Sequence, residues 1–235
     1  MCGRYSLATP NPAEVRAAYP IGDDLEVARR FNVAPGDSVL AVTADREGRP
    51  RGEMLRWGLV PPWARSPETG LKMINARVET AAERPAYRSA VDRFRCLVLA
   101  DGFYEWRRRG DGRKEAFWIT RGRGGLFAFA GLWSSWRNGD MGEAAPRLRT
   151  CTILTTAANA AVAPLHDRMP IILPPGAEST WLSPEARWDS LGDLLAGLEA
   201  SETTLVPVGP AVNDARYDGP ECLAPPVVSE QATLF

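Results

Sequence analysis

Between residues 96 and 156 the chain is a series of short apolar, β-branched and aromatic runs divided by glycine-rich breaks. Cys96–Ala100, Phe103–Arg107, Ala116–Arg121, Leu126–Leu132 and Thr150–Thr156 are the length of strands and too short for ordinary helices. Arg109-Gly110-Asp111-Gly112 and Arg121–Gly125 supply residues that accept tight turns, so the runs read as a meander of hairpins. Ser38–Ala44 and Glu53–Leu59 read as two more strands around Asp45-Arg46-Glu47-Gly48, and Met169–Leu173 as another. Helices are fewer. Asn11-Pro12-Ala13-Glu14 has a capping residue, a first-turn proline and an acid that can reach back, predicting a helix to about Tyr19. Further helices are expected over 82–90 and 188–198. The chain has no repeat, low-complexity block or linker. The fold class expected is α+β, a single domain with a curved, mostly antiparallel, barrel-like β core and peripheral helices.

Composition excludes several function classes. The longest apolar runs, such as Leu97–Ala100 and Ile171–Pro175, cannot span a bilayer. The N-terminus MCGRYSLATP has no apolar signal core, which predicts a cytoplasmic protein. The cysteines at 2, 96, 151 and 222 form no C-x-x-C pair, and His166 is the sole histidine, so neither a structural metal nor another cofactor is expected. Cys96 and Cys151 lie within strand-like runs and read as small buried hydrophobes. The net charge of −1 gives no global sign of nucleic-acid binding. All but two of the 28 basic residues are arginine, whose planar fork suits phosphate, so any such binding depends on where the arginines sit.

Cys2 is the residue with the most specific chemistry. Removal of Met1, which methionine aminopeptidases carry out when the next side chain is small, leaves a 1,2-aminothiol. The α-amine then has a pKa near ~7.8 against ~10.4 for lysine, so roughly a quarter is neutral at pH ~7.4. Such an amine attacks an aldehyde to give an imine, and the neighbouring thiol can close a five-membered thiazolidine.

Cys2 has company. Met1-Cys2-Gly3-Arg4-Tyr5, Asn32-Val33-Ala34-Pro35, Trp57–Trp63, Ile74–Thr80, Gly102-Phe103-Tyr104-Glu105-Trp106, Ala130–Trp133 and His166-Asp167-Arg168-Met169-Pro170 occur in that order. Together they closely resemble the SOS-response-associated peptidase (SRAP) family, from Cys2 to about Asn213. This resemblance predicts an SRAP domain over 2–222 and a C-terminal tail over 223–235. It implies a DNA-repair enzyme that cross-links to abasic sites in single-stranded DNA, with abasic-site lyase and autoproteolytic activity.

The resemblance also gives residue roles that can be weighed against their chemistry. Glu105 lies between aromatics, where desolvation raises a carboxyl pKa and suits it to proton transfer near neutrality; a partly exposed strand residue is the alternative. His166 titrates near neutrality and would serve imine chemistry and cross-link reversal, or else be merely solvated. Asn75 has donor and acceptors for the N-terminal amine or sugar hydroxyls, or is a turn residue. If its stretch is extended, Arg77 shares its face and meets a flanking phosphate. Arg4 and Arg168 are implied as further phosphate contacts, and Thr155 as a backbone contact. Trp63, after two prolines, and Trp106, beside Glu105, are candidates to stack on bases, whereas Trp57, Trp118 and Trp133 are expected in the core. The expected partner is single-stranded DNA carrying abasic sites, with single/double-strand junctions as a variant, bound by a monomer that associates with the nucleoid when DNA is damaged. An N-terminal-nucleophile amidohydrolase would also begin Met-Cys-Gly, but leaves Glu105, His166 and the arginines unexplained. A non-catalytic DNA-binding module is a third reading.

Overall fold

A computed structural model describes residues 2–8, 11–139 and 145–227. Met1, residues 140–144 of the expected polar loop at 137–147, and residues 228–235 of the expected tail lie outside the described residues. Strands dominate. One sheet has the order β12(Thr203–Val208)-β8(Lys114–Arg121)-β7(Gly102–Arg108)-β1(Tyr5–Leu7)-β2(Arg30–Val33). The other has the order β11(Arg168–Pro170)-β10(Arg147–Ala157)-β4(Pro50–Trp57)-β3(Ser38–Ala44)-β6(Arg95–Ala100)-β9(Phe127–Arg137). Because β10 also pairs with β9, strands β10, β4, β3, β6 and β9 close into a barrel-like ring, which leaves those strands no open edge. Pairing is antiparallel throughout the described ladders except where β10 meets β4 and the short β5(Asn75–Arg77) in parallel. The α+β, barrel-like expectation is borne out.

Alternation along the strands makes two main cores. Val39, Ala41, Leu55, Trp57, Cys96, Val98, Phe129, Cys151 and Ile153 meet Cys2, Tyr5 and Phe103 between the sheets. Leu40, Val42, Leu97, Leu99, Ala128 and Ala130 point the other way and are covered by α1(Pro12–Ala18) and α3(Glu178–Leu182). Cys96 and Cys151 are buried small hydrophobes, as expected, and Trp57 is fully buried. Trp118 and Trp133 are only partly buried; the Trp118 ring N–H needs a partner and donates to Ser6 Oγ at 2.8 Å.

The first helix matches its sequence signals, with Asn11 and Glu14 forming a complete capping box. The Asp45–Gly48 turn closes β3 onto β4, with Gly48 at φ 79°, a conformation costly for any residue with a Cβ. Two helix expectations are corrected. Over 82–90 the chain makes successive turns rather than a helix, and the helical segment is α2(Val78–Ala81) just before it. Pro85 has no N–H to continue the ladder. Over 188–198 the chain forms two 3-10 segments, Trp188–Ser190 and Gly192–Leu195, ended by Gly197 at φ 88°. The apolar spacing was still informative: Leu191, Leu195 and Leu198 are all buried.

Candidate active site

The ladders position the site before any side chain does. β1 lies between β2 and β7, and the Tyr104 amide donates to the Arg4 carbonyl at 2.9 Å, so β7 runs beside the N-terminal segment. β10 pairs through Ile153–Thr155 with Asn75–Arg77, and through Thr155–Ala157 with Arg168–Pro170. This brings the His166–Arg168 segment and β5 to the same end of β10.

Cys2 is fully buried, its thiol 3.5 Å from the Arg4 carbonyl. Burial pushes the thiol pKa well up, and the nearby Glu105 charge pushes it further. The thiol therefore remains protonated at neutral pH and is a weak nucleophile. Asn75 Nδ2 donates to the Cys2 carbonyl at 2.7 Å, pinning the N-terminal segment to β5. Its Oδ1 is buried and has no hydrogen-bond partner among the described residues, leaving an acceptor for an incoming N–H or O–H.

Glu105 is 5% exposed, on β7 opposite Phe117. Burial pushes its carboxyl up to about 7, helped by the negative charge of Asp167. At that value the group is half protonated near neutrality and can both give and take a proton. Partial burial pushes the His166 imidazole below its ordinary value. Its Nδ1 lies 2.9 Å from the Arg168 amide nitrogen and 2.8 Å from Asp167 Oδ1. One nitrogen cannot accept from the amide and donate to the carboxylate together. The downward pKa favours the neutral ring, in which Nδ1 accepts from Arg168 and Nε2 carries the proton.

The six residues expected to contact DNA divide by exposure. Arg77 is exposed, with buried Ala76 on the opposite face, so Asn75 and Arg77 share one side of β5. Trp63 is 65% exposed, and Trp106 is partly exposed with its ring N–H on Asn213 Oδ1 at 2.7 Å. The other three have internal partners. Arg4 donates to Asn32 Oδ1 and to the Val212 carbonyl, both at 2.9 Å. Thr155 is fully buried beside the Ala76 carbonyl. Arg168 grips Glu79 with both terminal nitrogens at 2.7 and 2.8 Å and donates to the Thr155 carbonyl at 2.6 Å. Sequence reasoning missed Glu79, Asn32, Asn213 and Asp167 as partners. Each of them except Asn213 stood inside a quoted motif, but nothing in a linear sequence says which arginine a given acid will meet. Among the described residues, no group of three or more His, Cys, Asp and Glu converges as a metal site would. No helix there is long and apolar enough to cross a membrane.

A two-sheet core buries Cys2 with its carbonyl held by Asn75 and with the buried Glu105 carboxyl close enough to act on its thiol. The chain belongs to the SOS response associated peptidase (SRAP) family, whose sequence model matches residues 1–215. It is 38% identical over 229 residues to the abasic site processing protein YoaM of Bacillus subtilis, covering 95% of this chain and 97% of that one. It is 31% identical over 233 residues to the abasic site processing protein YedK of Escherichia coli, covering 96% and 100%. A crystal structure from Bacteroides thetaiotaomicron shares the fold at a TM-score of 0.82 and 23% identity, over 96% of this chain and all of that one.

Proposed function

We propose that this chain processes abasic sites in single-stranded DNA by becoming covalently attached to them through Cys2 once Met1 has been removed. The observation that carries this reading is the placement of Cys2: its carbonyl is held by Asn75 and its thiol lies within the field of Glu105. The freed α-amine attacks the C1′ aldehyde of the ring-opened sugar, and loss of water gives an imine. The thiol then adds across the C=N bond, sulfur to carbon and its proton to nitrogen, closing the thiazolidine. A thiol kept protonated by burial suits that second role better than first attack on an amide, which argues against an amidohydrolase. Glu105 delivers and removes the protons of ring opening and dehydration. His166 assists at the imine and in the reverse reaction, and Asn75 orients the N-terminus.

The imine is also the point from which lyase cleavage of the strand proceeds, and the autoproteolytic role is exposure of Cys2 itself. Arg77 and Trp63 are the most accessible of the DNA contacts, followed by the partly exposed Trp106. Arg4, Thr155 and Arg168 act chiefly by holding the pocket's walls. The protein works as a monomer in the cytoplasm, on the single strand and at junctions with duplex, and its domain extends to residue 222. To test this, Met1-processed protein is mixed with an abasic single-stranded oligonucleotide. A heat-stable adduct should form with loss of one water in intact mass, and should vanish in Cys2→Ala. No adduct, or one indifferent to that substitution, refutes the proposal.

A further inference from the structure

The end of β10 away from Thr155 borders a second feature. Two adjoining cavities of ≈ 760 and ≈ 560 Å³ share Arg46, Phe94, Trp133 and Arg149 as walls. Phe94 and Trp133 meet edge to face with ring centroids 4.9 Å apart, and Phe94 remains 39% exposed. The Arg149 guanidinium lies 4.1 Å over the Trp133 ring and is 2.9 Å from Glu53 Oε2, so it is a fixed and neutralised part of the wall.

The free positive charge comes from Arg46, Arg51 and Arg93, which line the larger cavity and have no ion pair with any described residue. The nearby acids are matched elsewhere: Asp45 to Arg49 at 2.7 Å and Asp92 to Arg187 at 3.2 Å. Pro62 lines the smaller cavity, and the next residue is the exposed Trp63. A near-neutral protein thus concentrates unpaired arginine forks around an exposed aromatic face. That combination recognises phosphodiester and base together without reading sequence.

We propose that this cleft binds undamaged single-stranded nucleic acid, with phosphates on Arg46, Arg51 and Arg93 and a base on Phe94. The six residue-to-residue steps from Arg149 to Thr155 span ~20 Å of extended strand, so a strand crossing both sites runs several nucleotides beyond the lesion. The inference rests on the nucleic-acid reading above, but its test does not use the Cys2 adduct.

The probe is an undamaged, fluorescent single-stranded oligonucleotide of about 25 nucleotides, long enough to span both sites, titrated by anisotropy at several salt concentrations. An R46A/R51A/R93A variant should bind about tenfold more weakly or worse, with the slope of log K against log salt reduced by about 2. Phe94→Ala should weaken binding about fivefold or more and leave the slope unchanged. The triple variant should keep the wild-type melting temperature, and Phe94→Ala should lower it only modestly through its lost contact with Trp133. Both should keep the wild-type adduct yield on an abasic oligonucleotide too short to reach the cleft. Unchanged affinity and slope in the triple variant overturn the proposal, as does absence of wild-type binding to the undamaged strand. Competition by deoxyadenosine monophosphate as strong as by the oligonucleotide also overturns it, since the cleft would then be a mononucleotide site. If undamaged-strand binding depends on the three arginines while no adduct forms, only the cross-linking reading fails.

Discussion

In the proposed mechanism the Glu105 carboxyl serves the chemistry and burdens the fold at once. Its unfolded value is near ~4.3 and burial lifts it to about 7, so between those limits the native state holds a proton that the unfolded chain has lost. Stability from this group is therefore complete below the lower limit and is lost as pH rises through the upper one. Glu105→Gln should be more stable than wild type at pH 8 by up to about 3 kcal/mol, with the advantage fading towards pH 4.5, as urea unfolding at both pH values would measure. The same substitution should slow adduct formation by about 100-fold or more, because the amide cannot take up or return a proton. A variant that gains stability while losing its chemistry separates this role from a structural one.

At the scale of elements, the pocket depends on contacts that join strands distant in sequence. Arg168 is 9% exposed and ties β11 to Glu79 on α2 and to the Thr155 carbonyl on β10. The Glu79 side chain is 49% exposed, so it can be rehydrated when its partner is lost, whereas the buried guanidinium cannot. Glu79→Ala should therefore cost about 2 kcal/mol and Arg168→Met about 1 kcal/mol, an order that chemical denaturation would check. β7, which carries Glu105, has its own constraint at Gly102. A Cβ there would lie 2.0 Å from Trp118 Nε1, on a ring held by Ser6. Gly102→Ala should cost about 2 kcal/mol or more and lower adduct yield together with stability, since it displaces the strand that presents the carboxyl.

For the molecule as a whole, the cover over the ring is fastened by a single buried cation. Arg95, 4% exposed on β6, donates to the carbonyls of Val91, Trp181, Ser183 and Ala186, and its guanidinium lies 5.6 Å from the centre of a Trp181 ring. Four carbonyls lose their donor if it is removed. Arg95→Met should destabilise the protein by about 3 kcal/mol or more in urea unfolding, while leaving any adduct that forms below the transition chemically unchanged. The ring matters in a different way: by using β9–β10 pairing to close itself, it makes a rigid wall whose one end holds Asn75, Thr155 and the His166 segment.

The sequence by itself located β3, β4 and β6 to β11, the first helix, the β3–β4 turn and the candidate site residues, whereas β1, β2 and β12 carried no strand signal it could read. The features it located are set by local signals: alternation, caps, turn residues and motif order. Where local signals conflicted, as at Pro85 and Gly192, the expected helices gave way to turns and 3-10 segments. Only the tertiary structure decided that the strands close into a ring, that Asn75 holds Cys2, and that burial lifts Glu105 towards neutrality. It also decided which arginines remain available. Arg77, Arg46, Arg51 and Arg93 make no ion pair with a described residue, while Arg168 and Arg95 are spent on internal partners. A side chain's charge is written in the sequence, but its solvent exposure and its partner depend on segments far apart in the chain, and those two quantities set both pKa and availability.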